Sequence, residues 1–234
     1  MQLFYNSNID VDTTNFSFDK EESGHIVKVM RRNSGDILMV TNGLGQLFTT
    51  EIVLASTSKC MMKVNAVETI KSSDYKLHLA VAPTKMNERY EWFLEKATEI
   101  GISEITPIIC ERSERKIVKN ERFDKIILSS MKQSASCYLP KINEPILLKD
   151  FLQIAFEGQK FIAHCEDSQK ILLKNAADLK TNTLILIGPE GDFTENEIVE
   201  AKENNFRAIS LGNSRLRTET AAVVACHTLA LLHQ

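Results

Sequence analysis

The sequence predicts an α/β protein: a parallel sheet covered by helices, preceded by a small β-barrel or sandwich. Three observations carry that expectation. From residue 74 onward, short apolar strand-like runs alternate with helical segments, the rhythm of βαβ units. Two late runs, Leu184–Ile187 and Ala208–Leu211, each stop at a glycine, open into a polar loop and lead into a helix. Residues 1–70 instead alternate apolar and polar positions in short segments punctuated by turns.

In the first segment, Ile26–Met30, Ile37–Thr41, Gln46–Leu54 and Met61–Val67 have strand character, and HIVKVMRR (25–32) has a second reading as a short helix. Ser34-Gly35-Asp36 and Asn42-Gly43 are turn signals, because Gly and Asn tolerate positive φ. The polar stretch Thr69–Asp74 marks a boundary, so the expected domains are 1–70 and 74–234. Beyond it Tyr75–Ala82 reads as a strand. Lys85–Ile100 reads as a helix, with Tyr90, Phe93, Leu94, Ala97 and Ile100 on one face and Gly101 as its C-cap. Glu104–Ile109 is a strand, Glu121–Ser136 a helix, Phe161–Cys165 a strand and Leu172–Ala177 a helix. Leu184–Ile187 suits a strand buried on both faces. Thr194 and Glu197 form a capping box for the helix that follows. The last helix, Ala221–Leu232, is apolar nearly all round, which suits burial within this domain and against a second copy of the chain.

Composition excludes several classes. Of 234 residues, 43% are apolar and 25% charged, the balance of a soluble globular protein. No apolar run approaches the roughly 18 residues that span a bilayer, and MQLFYNSNIDVD has no secretory pattern, so a cytoplasmic protein is expected. The five cysteines (60, 110, 137, 165 and 226) are odd in number and have no CxxC or Cys/His spacing. They support neither a disulfide framework nor a metal site. A net charge of −3 argues against a general nucleic-acid coat but leaves room for a local basic patch. No GxGxxG or GxxxxGK[ST] is present, which leaves a nucleotide-binding enzyme with little support.

Chemistry concentrates in the two late loops. If the strands before them end side by side, GPEGDF (188–193) and GNSRLRTET (212–220) share the carboxyl edge of the sheet, where open α/β folds bind ligands. Pro189 fixes φ, and Gly191 permits positive φ or a close approach of backbone to ligand. Arg215, Arg217 and Glu219 bring more charge than a turn needs. Thr218 is placed to cap the last helix, with Glu219 in its first turn.

LIGPEGDFTENEI and LGNSRLRTETA resemble the two signature segments of the 16S rRNA uracil-N3 methyltransferases, the RsmE family of the SPOUT class. NERYEWFLEKATEIGISEITPIICERSE, MKQSASCYLPKI and HIVKVMRRNSGDILMVTNGLGQLFTTEI resemble further segments of the family, so the likeness spans the chain. The family pattern has Gly-Gly where this chain has Gly191-Asp192, and Gly-Arg where it has Ala135-Ser136. The resemblance implies a SPOUT-type parallel sheet with a C-terminal trefoil knot, behind a small PUA-like β-barrel that binds RNA. It also implies a homodimer, without metal or membrane attachment, that uses S-adenosyl-L-methionine to methylate N3 of uridine 1498 in 16S rRNA. A related enzyme with another RNA target, and a non-catalytic RNA-binding module of the same fold, are the alternatives.

On that basis backbone groups of Leu186, Gly188, Gly191, Ile209, Leu211, Gly212 and Leu216 are expected to form the cofactor pocket, with Glu190 and Thr218 beside them and His164 at its border. Glu190 is expected to orient a loop or the cofactor. Arg217 is the candidate for stabilising the uracil anion, and Glu219 for positioning Arg217 or receiving a proton. RNA contacts are expected from Arg31, Arg32, Lys59 and Lys63 in the first domain, and from Arg112, Arg115, Lys116 and Lys119 in the second.

Overall fold

The computed structural model describes residues 2–118, 120–166 and 169–233. It has two compact units: residues 1–72 with 131–139, and residues 73–130 with 140–234.

In the first unit, β1 (Leu3–Tyr5), β2 (Asn15–Ser17), β3 (Ile37–Thr41), β4 (Gln46–Leu54) and β5 (Met61–Thr69) form one sheet in the order β1-β3-β4-β5-β2. β1 runs parallel to β3 and the other pairs are antiparallel. Register shifts at Thr49/Thr50 and Ile52/Leu54 raise the local twist, and the sheet curls into a half-barrel rather than a closed barrel. Its concave side holds Phe4, Phe18, Val40, Phe48 and Ile52. HIVKVMRR takes its helical reading, which corrects the strand at Ile26–Met30. Asp19 caps α1 (Lys20–Gly24) by accepting the Glu22 N–H at 2.8 Å, and the chain continues as a π-helical turn over His25–Val29. Ile26 and Met30, four residues apart, both reach the core from that turn.

Asn42-Gly43 does not make a two-residue turn. Residues 42–45 connect β3 to β4, with φ of 76° at Gly43 and 90° at Gly45. This loop receives residues 137–139: Gly45 N–H donates to the Cys137 carbonyl at 2.8 Å and Leu139 N–H to the Gly43 carbonyl at 2.9 Å. A Cβ at Gly45 would collide with the Tyr138 ring, so only glycine fits there.

The second unit contains β6 (Leu77–Val81), α2 (Asn87–Ile100), β7 (Glu104–Ile109), α3 (Asn120–Gln133), β8 (Lys141–Ile142), β9 (Ile146–Leu147) and α4 (Leu148–Phe151). It continues with β10 (Gln159–Ala163), β11 (Ile171–Leu172), α5 (Leu173–Ala176), β12 (Thr183–Ile187), α6 (Glu195–Glu203), β13 (Arg207–Ser210) and α7 (Thr218–Leu232). α3 ends at Gln133, three residues before the expected Ser136. Ala135 adopts φ 56°, and the Ser136 N–H closes on the Met131 carbonyl at 3.1 Å, a Schellman end. The sheet order is β11-β13-β10-β12-β6-β7-β8, with β9 also on β7, and every described pair is parallel. All five residues of β6 and of β12 are buried, as strands covered on both faces require. α7 packs on α2 and β6. Cys226 and Leu229 are fully buried there, while Leu231 is 58% exposed, so α7 is not enclosed all round within one chain.

One placement differs from expectation. β12 and β13 do not end side by side: β10 runs between them and pairs with both. The apolar period identifies a central strand but carries no information about its neighbours.

Candidate cofactor and catalytic site

Because β13, β10 and β12 are parallel and adjacent, their carboxyl ends finish on one edge. A pocket of about 710 Å³ opens there. The end of β10 supplies His164 and Cys165, the β12 loop Gly188 to Glu190 and Asp192, and the β13 loop the run from Ile209 to Arg217. Thr218 and Ala221 of α7, with Ala163, Lys170 and Ile187, complete the lining.

The structure brings most of the expected residues together. His164, Gly188, Glu190, Ile209, Leu211, Gly212, Leu216, Arg217 and Thr218 all line the pocket. Two expected members do not. Leu186 sits inside β12 one residue before Ile187, which does line the pocket, and its side chain is fully buried in the apolar core with Ala80 and Ile162. Gly191 backs onto Arg112, whose Cβ would lie 3.3 Å from a Cβ placed there. Of the two roles open to Gly191, positive φ is not the one it takes; the left-handed residue of this loop is Asp192, with φ 61°.

Asp192 uses that conformation to join two loops. Its Oδ2 accepts the Cys165 N–H at 2.7 Å and its Oδ1 the Phe193 N–H at 2.9 Å. Arg112 braces the same loop from outside, donating Nη1 to the carbonyls of Gly191 at 3.1 Å and Phe193 at 3.2 Å. Its guanidinium therefore has an intramolecular task beside the RNA contact expected of it. Glu190 Oε1 accepts the Lys85 N–H at 2.9 Å, tying down the β6–α2 connection. Cys165, Lys170 and Arg215 line the pocket without having been singled out as cofactor residues. No local pattern marks Cys165 or Lys170, since both depend on β10 lying between the two signature loops.

Thr218 is not the cap of α7. Arg217 occupies the N-cap position, without a side-chain capping bond, and Thr218 is the first helical residue. Its hydroxyl donates instead to the Gly188 carbonyl at 3.0 Å. Glu219 is 7% exposed and its carboxylate lies 3.8 Å from Arg89 Nε on α2. Its nearby cation is thus Arg89, in place of the expected Arg217, while Arg217 remains exposed at the pocket.

Several buried polar atoms lack partners. Both ring nitrogens of His164, Glu190 Oε2 and Glu219 Oε2 have no hydrogen bond among the described residues. Buried polar atoms are normally satisfied, so His164 and Glu190, which line the pocket, point to a polar ligand there. Burial lowers the His164 pKa, and Lys170 and Lys202 lower it further against the opposing effect of Asp192. The imidazole is therefore neutral near pH 7, with one nitrogen to donate and one to accept.

The expected RNA-contact residues are dispersed. Arg31 and Arg32 follow the π-helical turn, Lys59 lies between β4 and β5, and Lys63 sits on β5 directly across from Glu51. In the second unit, Arg115 Nε donates to the Ile117 carbonyl at 3.1 Å and Lys116 is exposed. Lys119 lies outside the described residues.

Fold and pocket together define a parallel α/β ligand-binding domain whose site is built from three strand-end loops. Its sequence matches the family model of the RNA methyltransferase domain over residues 71–230, and that of the RNA methyltransferase PUA domain over residues 18–60. Ribosomal RNA small subunit methyltransferase E of Mesomycoplasma hyopneumoniae is 33% identical over 85% of this chain and 86% of its own. A probable rRNA-methyltransferase from Porphyromonas gingivalis superposes with a TM-score of 0.90 at 36% identity, covering 99% of both chains. A protein from Legionella pneumophila, solved with the bound cofactor SAM, superposes with a TM-score of 0.85 at 29% identity over 97% of this chain and 96% of that one. The chain belongs to the ribosomal RNA small subunit methyltransferase E family.

Proposed function

We propose that this chain methylates N3 of a uridine in 16S rRNA, uridine 1498 in the family's case, using S-adenosyl-L-methionine held at the carboxyl edge of β10, β12 and β13. The observation that carries the reading is His164: a neutral imidazole, 7% exposed, with two unpartnered nitrogens in a pocket of cofactor size. The SAM-bound relative of matching fold supports the choice of ligand.

The residues fit that cofactor. His164 and Glu190 supply unsatisfied polar atoms, and the β12 and β13 loops provide walls fastened by Asp192, Arg112 and Thr218. When bound, the cofactor supplies an electrophilic methyl carbon on a sulfonium. Arg217, exposed at the pocket and permanently charged, is placed to stabilise the negative charge that uracil develops as N3 loses its proton. Holding the nucleophile in line with the methyl carbon accounts for roughly 7–11 kcal/mol of barrier in well-oriented systems. N3 lies on the pairing edge, so the uridine must be unpaired when it reaches Arg217. Glu219, buried beside Arg89, belongs to the support of the α7 N-terminus in this reading.

Arg31, Arg32, Lys59, Lys63, Arg115 and Lys116 are the proposed phosphate contacts. The incompletely covered α7, with Leu231 exposed, supports a homodimer. No helix among the described residues is long and apolar enough to cross a membrane, and the chain is read as acting in the cytoplasm. The trefoil knot of the C-terminal segment belongs to the same reading. The deciding experiment is methylation of small ribosomal subunits that lack the modification, followed by location of the product nucleotide by mass analysis. Methyl incorporation at uridine N3 is expected. Incorporation at another nucleotide would shift the reading to a different RNA target, and no incorporation with no cofactor binding would favour a non-catalytic RNA-binding module.

A further inference from the structure

The five thiols of this chain are not equivalent. Cys60, Cys110, Cys137 and Cys226 are buried, whereas Cys165 is exposed and lines the cofactor pocket. Burial raises the pKa of each of the four, Cys226 to about 12, and so keeps them as unreactive thiols. Cys165 follows His164, the 7% exposed residue with two unpartnered ring nitrogens. Those nitrogens call for a polar partner in the pocket, and Cys165 borders the same space. Its position is held as well, because Asp192 Oδ2 accepts its N–H at 2.7 Å where the β10 and β12 loops meet.

We propose that Cys165 is a modification site for low-molecular-weight disulfides, and that its modification closes the cofactor pocket. The inference rests on the reading of that pocket as the S-adenosyl-L-methionine site. The Cys165 thiol gives its proton to solvent, and its sulfur attacks one sulfur of the small disulfide. A protein mixed disulfide forms, the reagent's S–S bond breaks, and the second sulfur leaves as a thiolate. Cys165 is oxidised and the reagent reduced; a free thiol reverses the exchange by the same route. The added group then competes with the cofactor for the space beside His164.

The full-length protein is treated with glutathione disulfide, with and without S-adenosylmethionine. Adducts are mapped by peptide mass, and cofactor affinity is measured by calorimetry before treatment, after it, and after dithiothreitol. One adduct is expected, at Cys165. Bound cofactor should slow its formation by at least about tenfold. The adduct should weaken cofactor binding by at least about tenfold (about 1.4 kcal/mol), with recovery on reduction. Cys165→Ser should take up no glutathione and keep its own untreated affinity after treatment. An adduct at another cysteine, no protection by cofactor, or full affinity with Cys165 modified would overturn the inference while leaving the pocket assignment standing. Absence of cofactor binding by the untreated protein would instead overturn the pocket assignment, and the inference with it.

Discussion

The hydroxyl of Thr218 donates to the carbonyl of Gly188 at 3.0 Å, and this one bond joins the two loops that wall the pocket. Thr218 is buried at the first position of α7, and Gly188 is the first residue after β12. Thr218→Val keeps the shape of the side chain but leaves the carbonyl without this donor. A loss of about 1–3 kcal/mol in stability is expected, the cost of a buried group left unpaired. Cofactor affinity should fall with it. Thr218→Ser, which retains the hydroxyl, should recover most of both in urea unfolding and calorimetry.

Arg217 separates chemistry from binding. It lines the pocket, and its side chain makes no capping bond to α7. Arg217→Ala is expected to lower methyl transfer by roughly 100-fold or more, the scale of a lost charge-stabilising donor, while cofactor affinity changes little. Single-turnover assays and calorimetry on one preparation check this; equal loss of both would move Arg217 from catalysis to pocket architecture.

Arg112 should behave unlike the other basic residues of its cluster. Its two bonds to the carbonyls of Gly191 and Phe193 brace the β12 loop. Arg112→Ala is expected to weaken cofactor binding with no change in the salt dependence of RNA binding. Lys116→Ala should leave the cofactor untouched and reduce the slope of log affinity against log salt by about 1, the share of one phosphate contact. Titrations at several salt concentrations distinguish the two.

Ala135 occupies the left-handed position that ends α3, with φ 56°. A side chain in that conformation costs roughly 1–2 kcal/mol that glycine avoids, set against the greater freedom glycine gains when unfolded. Ala135→Gly should therefore stabilise the fold by about 1 kcal/mol in denaturant unfolding.

His78 should make stability depend on pH. Burial lowers its pKa to about 4, with Glu104 opposing and Lys141 adding to the shift. The Thr106 hydroxyl oxygen accepts from Asn143 Nδ2 and lies 2.7 Å from His78 Nε2. The folded pKa lies below the unfolded one, so stability from this group is complete above pH 6.5. It declines as the pH falls to about 4, where the native histidine takes up its proton. The contribution is at most about 3 kcal/mol. It should appear as the difference between native protein and His78→Gln in urea unfolding at pH 7 and pH 4.

Local order was legible wherever the signal is carried by adjacent residues. Thr194 and Glu197 form the capping box that their spacing predicts, and Glu104–Ile109 and Gln46–Leu54 are strands over the expected residues. Each depends on contacts a few positions away or on strict alternation. The same is true of the turn at each loop, which a glycine at a strand end marks; that both loops share one ligand edge depended on the strand order. Where the local signal was mixed, as in HIVKVMRR, packing of Ile26 and Met30 against the half-barrel selected the helix.

Sequence by itself determined the alternation of the longer strands and helices beyond residue 74, the family signatures, and most of the residues that meet at the pocket, but not the short β1, β2, β8, β9, β11 and α4. Tertiary structure decided what those residues touch. It set β10 between β12 and β13, bringing Cys165 into the site beside the expected His164. It also turned Arg112 toward the Gly191 and Phe193 carbonyls, gave Thr218 to Gly188 rather than to a cap, and placed Glu219 beside Arg89. The physical reason is range. Propensity, capping and alternation act over a few residues, whereas strand order and buried polar partners join positions 30 to 130 residues apart, as Thr218 to Gly188 and Glu219 to Arg89 do.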